Sequence, residues 1–393
     1  MERIYMDHNA TTPVHPEVLA TILPYYNEKF GNASSVHTFG REARADMEEA
    51  REKIADFIGA QPREIIFTSG GTESDNMAIL GAVSKNVKKG KHIITSSIEH
   101  HAVLNTCKYL ENKGHEVTYL NVDKYGVINL DQLRDSIKDD TVLITIMHAN
   151  NENGTIEPIE EIVKIAAEKG VLVHSDAVQT LGKVPINLKE LGVDLMTFSA
   201  HKIYGPKGIG ILYIRRGTRI DPLIRGGHHE RNLRGGTENV PAIVGFAKAL
   251  EVANSDMDEE QSRLWKLTEK LKNGLLDQID DLFINSHPEN RVPGTMNISF
   301  DYLEGESIIL SLDMKGVGVS TGSACTSGTL EPSHVLSALG LPIAAAQGAI
   351  RFSLGRSNTE EHVDYILQEL PPIIKRLRDM SPLYADKMKN KSC

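Results

Sequence analysis

An α/β architecture follows from three observations: seven short β-rich runs, helical patterns between them, and polar or glycine residues immediately after the runs. The runs are Glu64 to Thr68, His92 to Ser96, Glu116 to Leu120, Val142 to Met147, Val171 to Ser175, Asp194 to Ser199 and Gly210 to Ile214. That alternation predicts a mainly parallel, seven-stranded sheet with helices on both faces. In such a sheet the ligand lies beyond the carboxyl ends of the strands. Gly70-Gly71-Thr72 follows the first run, Glu99-His100 the second, Asn150-Asn151 the fourth, Asp176 the fifth and His201-Lys202 the sixth. Residues kept only for packing have no reason to be polar at that edge repeatedly, so five strand ends converge on one rim.

Beyond the sheet, Asp256 to Asp280 has a helical pattern with an apolar stripe of Trp265, Leu267, Leu271, Leu275 and Leu276. A strand over Thr295 to Phe300 follows, then a helix opened by Glu304 to Ser307 and a short strand ending at Ser320. A strand around Ile350 to Leu354 and a closing helix from about Thr359 to Asp379 complete a small α+β unit. At 393 residues the chain exceeds one ordinary core. We expect a large domain over 16–255, and a smaller one formed by 1–15 together with 256–393.

Composition narrows the function. Apolar residues make up 40% of the chain and charged residues 24%, an ordinary globular balance. A formal net charge of -10 argues against a nucleic-acid partner, which demands a basic face. No apolar run is long enough to cross a bilayer and the first residues contain no apolar targeting core, so the expected location is the cytoplasm, away from membranes. Three scattered cysteines, Cys107, Cys325 and Cys393, are too few for a disulfide framework or a zinc set. Cys107 lies in the apolar-periodic stretch Val103 to Leu110, the setting of an inert buried thiol.

The rim residues fit one cofactor, pyridoxal phosphate. Gly71 and Thr72 start a helix, where N–H groups without an intrahelical partner and a hydroxyl suit a phosphate; alone, the segment is also an ordinary glycine turn with a cap. Asp176 can keep a pyridine nitrogen protonated and Gln179 can hydrogen-bond the ring hydroxyl, although an aspartate here also reads as a helix cap. Lys202 can form an imine with the aldehyde and then act as a base at the substrate α-carbon. Ser199 and His201 flank it with phosphate-binding side chains, and Tyr204-Gly205-Pro206 continues as a turn that fixes its direction. His100 suits stacking on the ring; its neighbour His101 raises the possibility of a metal pair, but no third ligand stands at ligand spacing. Asn151 and Arg351 suit a substrate carboxylate, Arg351 through its fork; the competing reading is a surface ion pair. Thr237, in the glycine-rich stretch Gly226 to Asn239, can donate to a phosphate in its own or a neighbouring subunit.

Cys325 sits in Ser320-Thr321-Gly322-Ser323-Ala324-Cys325-Thr326-Ser327-Gly328, small and polar throughout. That is the composition of an exposed loop, where a thiolate can attack sulfur and carry it away. Lysine, aspartate and loop thiol together point to a sulfur substrate.

Several long segments in order resemble the NifS/IscS class of cysteine desulfurases, within the class V aminotransferase-like pyridoxal phosphate enzymes of fold type I. They are MDHNATTPVHPEV, FTSGGTESDN, EHHAVLNTC, HANNENGTIEP, HSDAVQTLGK, SAHKIYGPKGIG, RGGTENVPAIVGF and STGSACTSGTLEPSHVL, which together cover nearly the whole chain. Only His101 and Gly235-Gly236 differ from commoner residues. The resemblance implies Lys202 as the Schiff-base lysine, with Ala200 beside it in the cofactor segment, and Cys325 as the persulfide carrier. It also implies a homodimer in which Thr237 reaches the partner subunit's phosphate. The TGSACTSG form implies delivery to an iron–sulfur scaffold of the IscU/NifU type, with a transient [2Fe-2S] cluster bridged through Cys325. Two alternatives stay open: a selenocysteine lyase or class V aminotransferase, which shares Lys202 but needs no such thiol, and a non-catalytic assembly scaffold. The physiological acceptor, whether nitrogenase, general iron–sulfur assembly or tRNA thiolation, is not legible.

Overall fold

The computed structural model describes residues 3–321 and 332–391; Cys325 and Cys393 lie outside them. Twelve strands are found among the described residues. In chain order they are β1 (Ile4–Tyr5), β2 (Ile65–Thr68), β3 (His92–Ser96), β4 (Glu116–Leu120), β5 (Thr141–Thr145), β6 (Leu172–Asp176), β7 (Leu195–Ser199), β8 (Gly210–Ile214), β9 (Leu282–Ile284), β10 (Thr295–Phe300), β11 (Val317–Gly318) and β12 (Ala349–Ser353). The seven expected runs become β2 to β8, three of them with the expected bounds and four displaced by one or two residues.

These seven strands form one sheet in the order β2-β8-β7-β6-β5-β3-β4. Every pairing from β7 through β4 is parallel. β8 runs antiparallel to both neighbours. The sheet carries an apolar layer on each face, because neighbouring residues of a strand point to opposite sides. Ile65, Phe67, Ile94, Ile144, Met196, Phe198 and Ile211 face one core, closed by the helices Thr38–Ile58, Ile159–Lys169 and Val240–Asn254. Ile66, Ile93, Leu143, Leu195 and Leu212 face the other, closed by Gly71–Asn86 and His101–Glu111. Burial on both faces explains why the strands read as continuous apolar runs. Cys107 is in this second layer, where burial pushes its thiol up to about 12.

A separate core forms around β9, β10 and β12, which make an antiparallel sheet in the order β12-β10-β9. The helix Met257–Gln278 contributes Leu264, Leu267, Leu271 and Leu275 to it. Leu276, expected in the stripe, is 46% exposed, because a residue adjacent to Leu275 lies about 100° around the helix. Trp265 lies at the edge, with the Arg291 guanidinium 3.9 Å above its ring. Ile4 and Met6 join the same core, and β1 pairs in parallel with β11. The next residues cross to the large sheet: Thr12 N and its hydroxyl both donate to His201 O at 3.0 Å. No described helix is long and apolar enough to cross a membrane.

Candidate active site

The carboxyl ends of β2, β3, β5, β6 and β7 surround a cavity of about 480 Å³. Gly71, Thr72, His100, Asn151, Asp176, Gln179, Ser199, His201 and Lys202 line it, as their places at or after the strand ends predict, and Arg351 joins them from within β12 of the smaller sheet. Ala200 is buried and off the wall, its N–H donating to Ile209 O. Thr237 is exposed and also off the wall.

At one end, the helix Gly71–Asn86 presents its N-terminus. The turn before it is pinned by Ser69 N donating to Glu73 at 2.9 Å, while Arg234 holds the same carboxylate at 2.9 Å. A Cβ on Gly210 would lie 2.7 Å from the Gly70 backbone, so only glycine at 210 lets β8 approach this turn. The result is a helix start, with its free N–H groups and the Thr72 hydroxyl, facing the cavity.

Asp176 ends β6 and accepts from Val178 N at 2.9 Å. Burial first raises its carboxyl to about 6, with the Val178 N–H and Lys202 opposing. Gln179 Nε2 donates to Asn9 O at 3.1 Å, and Lys183 Nζ donates to Gln179 Oε1 and to Asn9 Oδ1, both at 3.2 Å. An amine donating to Oε1 fixes which way the amide faces and leaves Nε2 as the end with a second hydrogen to offer. Burial, then the charges of Lys202 and Arg351, lowers Lys183 to about 7.

Lys202 closes a short 3-10 turn, Ala200–Lys202, directly after β7. Its Nζ donates to Asn9 O at 2.5 Å and Ala10 O at 2.8 Å. His201 Nδ1 lies 3.1 Å from Thr11 Oγ1, and Tyr204, at φ 65°, donates its N–H to Thr12 Oγ1 at 2.7 Å. The N-terminal segment therefore forms a wall of the site.

His100 caps the helix His101–Glu111, its Nδ1 accepting from Ala102 N at 3.1 Å. An accepting Nδ1 places the ring proton on Nε2. Burial, then Lys202, His101 and His334, lowers it to about 4, so the ring is neutral near pH 7. His101 and His334 lie with ring centroids 4.9 Å apart, and both line the cavity. Arg351 is not on the surface: it is 2% exposed, donating through Nη2 to Asp7 at 2.6 Å and through Nη1 to Asn151 O at 2.9 Å.

Sequence reasoning missed Asn9, Ala10, Asp75, His101, Glu152 and His334 as lining residues. For Asp75 a signal existed, since a residue three to four places beyond Gly71 and Thr72 shares their helix face. Asn9 and His334 arrive from distant segments and carried none. Asn150, though at a strand end, is structural: it donates to Ile98 O and accepts from Glu152 N and Asn153 N. Among the described residues no three His, Cys, Asp or Glu side chains gather as a metal site. The cluster role of Cys325 falls outside the described residues.

An amine, a carboxylate behind it, a neutral imidazole and a helix N-terminus on one wall suit a flat, phosphorylated pyridine aldehyde. The buried Oδ1 of Asp75, without a hydrogen-bond partner among the described residues, adds a polar atom to the same wall. This is the constellation of a pyridoxal phosphate enzyme.

The chain belongs to the aminotransferase class-V family, whose description matches residues 4–366. It is 56% identical over 379 residues to the cysteine desulfurase IscS of Dictyoglomus turgidum, covering 96% of each chain. Among solved structures it is similar to a NifS-like protein, with TM-score 0.90 and 45% identity over 96% of this chain and 100% of that one. A structure of SspA in complex with cysteine is also similar, with TM-score 0.79 and 39% identity over 89% of this chain and 98% of that one.

Proposed function

We propose that this chain is a pyridoxal phosphate-dependent cysteine desulfurase, which turns L-cysteine into L-alanine and leaves the sulfur as a persulfide on Cys325. The observation that carries this reading is that Lys202 and Asp176, from neighbouring strand tips, line one cavity in a chain akin to named cysteine desulfurases. When bound, the cofactor supplies an aldehyde for amines and a protonated ring that draws electrons from the substrate α-carbon.

The protein's own groups do the rest. Gly71 and Thr72 hold the phosphate from the helix start, joined by Ser199 and His201, while Asp176 holds the ring nitrogen and Gln179 the ring oxygen. His100 stacks on the ring face as a neutral imidazole and hands protons through Nε2. Lys202 would hold the cofactor aldehyde, and its free amine is the base that takes the substrate α-proton. Arg351 and Asn151 orient the substrate carboxylate. Cys325, as thiolate, attacks the substrate sulfur: the Cβ–S bond breaks, an S–S bond forms, and protonation of the carbon skeleton gives alanine.

The division into 16–255, and 1–15 with 256–393, is part of this reading and is supported by the separate apolar cores. So are a homodimer in which Thr237 serves the partner's phosphate, delivery to an iron–sulfur scaffold of the IscU/NifU type with a transient cluster at Cys325, and residence in the cytoplasm. The test is mass spectrometry of the protein after exposure to L-cysteine. One added sulfur on the Cys325 peptide, with alanine as co-product, is expected; pyruvate-linked products or an unmodified peptide would overturn it. Cys325→Ala should keep the cofactor's absorbance and lose sulfur transfer.

A further inference from the structure

Asp75 is a buried carboxyl to which the reaction above gives no task. It lies one turn into the helix Gly71–Asn86, is 1% exposed, and lines the cavity alongside Asp176. Its Oδ1 has no hydrogen-bond partner among the described residues. The one basic group within ion-pair distance among those residues is His174, whose Nε2 is 3.6 Å away. That ring is held between hydroxyls, Nδ1 to Thr145 at 2.8 Å and Nε2 to Thr197 at 3.0 Å, and burial lowers it to about 3. A neutral imidazole offers no charge to offset an ionised Asp75.

Two buried carboxyls lining one cavity do not readily both ionise without a cation between them. Asp176 has a backbone N–H on its carboxylate and Lys202 as a nearby positive charge. Asp75 lacks both; burial and then the Asp176 carboxylate raise it well above the usual carboxylate range, against a hydrogen bond from the Thr197 side chain that favours the ionised form, with Glu99 adding to the rise. Glu99 is itself raised to about 8 by burial, so it adds little negative charge at neutral pH. The asymmetry decides which of the pair gives up its proton.

We propose that Asp75 is a positioning residue that keeps its proton and forms with Asp176 a buried carboxyl pair bearing a single negative charge, aimed at the ring nitrogen of the cofactor. The inference rests on the reading of Asp176 as the ring-nitrogen partner. A neutral acid at 75 shapes and hydrogen-bonds the pocket without adding a second anion, so Asp176 remains the one site where a ring N–H is drawn.

The test uses apo-protein and two probes without an aldehyde: pyridoxine phosphate, and its analogue with carbon in place of the ring nitrogen. The quantity read is the ratio of their dissociation constants. Asp176→Asn should collapse the preference for the nitrogen ring by tenfold or more, about the worth of a charged hydrogen bond; no change there sinks the reading of Asp176 itself. With that arm positive, Asp75→Asn, neutral and of the same shape, should keep the ratio within about threefold, whereas Asp75→Ala should lower it about tenfold through loss of the donor. A tenfold loss in Asp75→Asn shows a charged Asp75, and an unaltered ratio in Asp75→Ala shows an idle one; either overturns the proposal. Infrared spectra of the ¹³C-aspartate-labelled wild-type protein at neutral pH supply a second reading that needs no variant at 75. A protonated aspartic acid band that moves with pyridoxine phosphate but not with the carbon analogue is expected, and absence of any such band overturns the pair.

Discussion

The ammonium of Lys202 donates to the carbonyl oxygen of Asn9 at 2.5 Å, joining the tip of β7 to a segment that precedes it by 193 residues in the chain. Asn9 O also accepts from Gln179 Nε2. One carbonyl thus orients both the amine and the amide expected to meet the cofactor. Because the partner is backbone, no side-chain substitution at Asn9 removes it directly.

Lys202→Ala is expected to abolish the mass adduct left when the pyridoxal phosphate-loaded protein is reduced with borohydride. Turnover of L-cysteine should fall by about 10²–10⁴, the usual worth of a placed acid–base group. An adduct retained at another lysine, Lys183 being the one nearest by hydrogen bonding to Gln179, would reassign the aldehyde partner.

Arg351→Lys should raise KM for L-cysteine by about 10- to 100-fold, with a smaller effect on kcat. A point charge cannot reproduce a fork that holds Asp7 and the Asn151 carbonyl together. Steady-state kinetics read the split between the two constants; an unchanged KM removes Arg351 from substrate binding.

Gly210→Ala places a Cβ 2.7 Å from Gly70 Cα and from Phe198 O, both backbone-bound and unable to rotate away. The turn that presents Thr72 must then shift. Stability is expected to drop by about 1–3 kcal/mol, measured by urea unfolding, and pyridoxal phosphate affinity by about tenfold. Unaltered cofactor affinity would dissociate this turn from phosphate binding.

Glu99 fixes the sign of a pH effect. Burial raises its folded-state value to about 8 from an ordinary 4.5, so the native state binds the extra proton between those limits. Its contribution is complete below about pH 4.5 and is lost as pH rises through about 8. Glu99→Gln keeps an oxygen for Ser96 Oγ and Met147 N and has nothing to titrate. The variant should match wild type in unfolding free energy, measured with urea, near pH 5 and exceed it at pH 9 by more than about 1 kcal/mol. Parallel profiles would show that Glu99 is ionised in the fold. The buried histidines act the other way: His100 and His148, each lowered to about 4, withdraw stability as pH falls from about 6.5.

Much of the site was legible because βα architecture puts function at a fixed place. Once β5, β6 and β7 were read as apolar runs, Asn151, Asp176 and Lys202 followed from position alone. Direction and order were not legible: nothing in Gly210 to Ile214 distinguishes an antiparallel β8 from one more parallel strand, since both faces are equally buried. β9 escaped notice because Leu282-Phe283-Ile284 is only three residues long, with Phe283 exposed and its neighbours half-buried. Asp75, Asn9 and His334 escaped for another reason, since periodicity reports the face a residue occupies and says nothing of what crosses the sheet edge to meet it. Leu276 shows the same limit within one helix, where composition offers two adjacent leucines and geometry admits one.

The loop that carries Thr237 is moored at Glu230, whose carboxylate takes both guanidinium nitrogens of the buried Arg51, at 2.9 and 2.7 Å, and the N–H of Phe67 at 2.8 Å. Glu230, Arg231 and Asn232 all adopt positive φ, a conformation that has to be held from outside. Such a loop is not a portable cassette. Grafted onto a homologue with no arginine at the matching helix position, it would bring a naked anion into the host's interior, so chimeras designed to swap acceptor or assembly preference must transplant position 51 along with it.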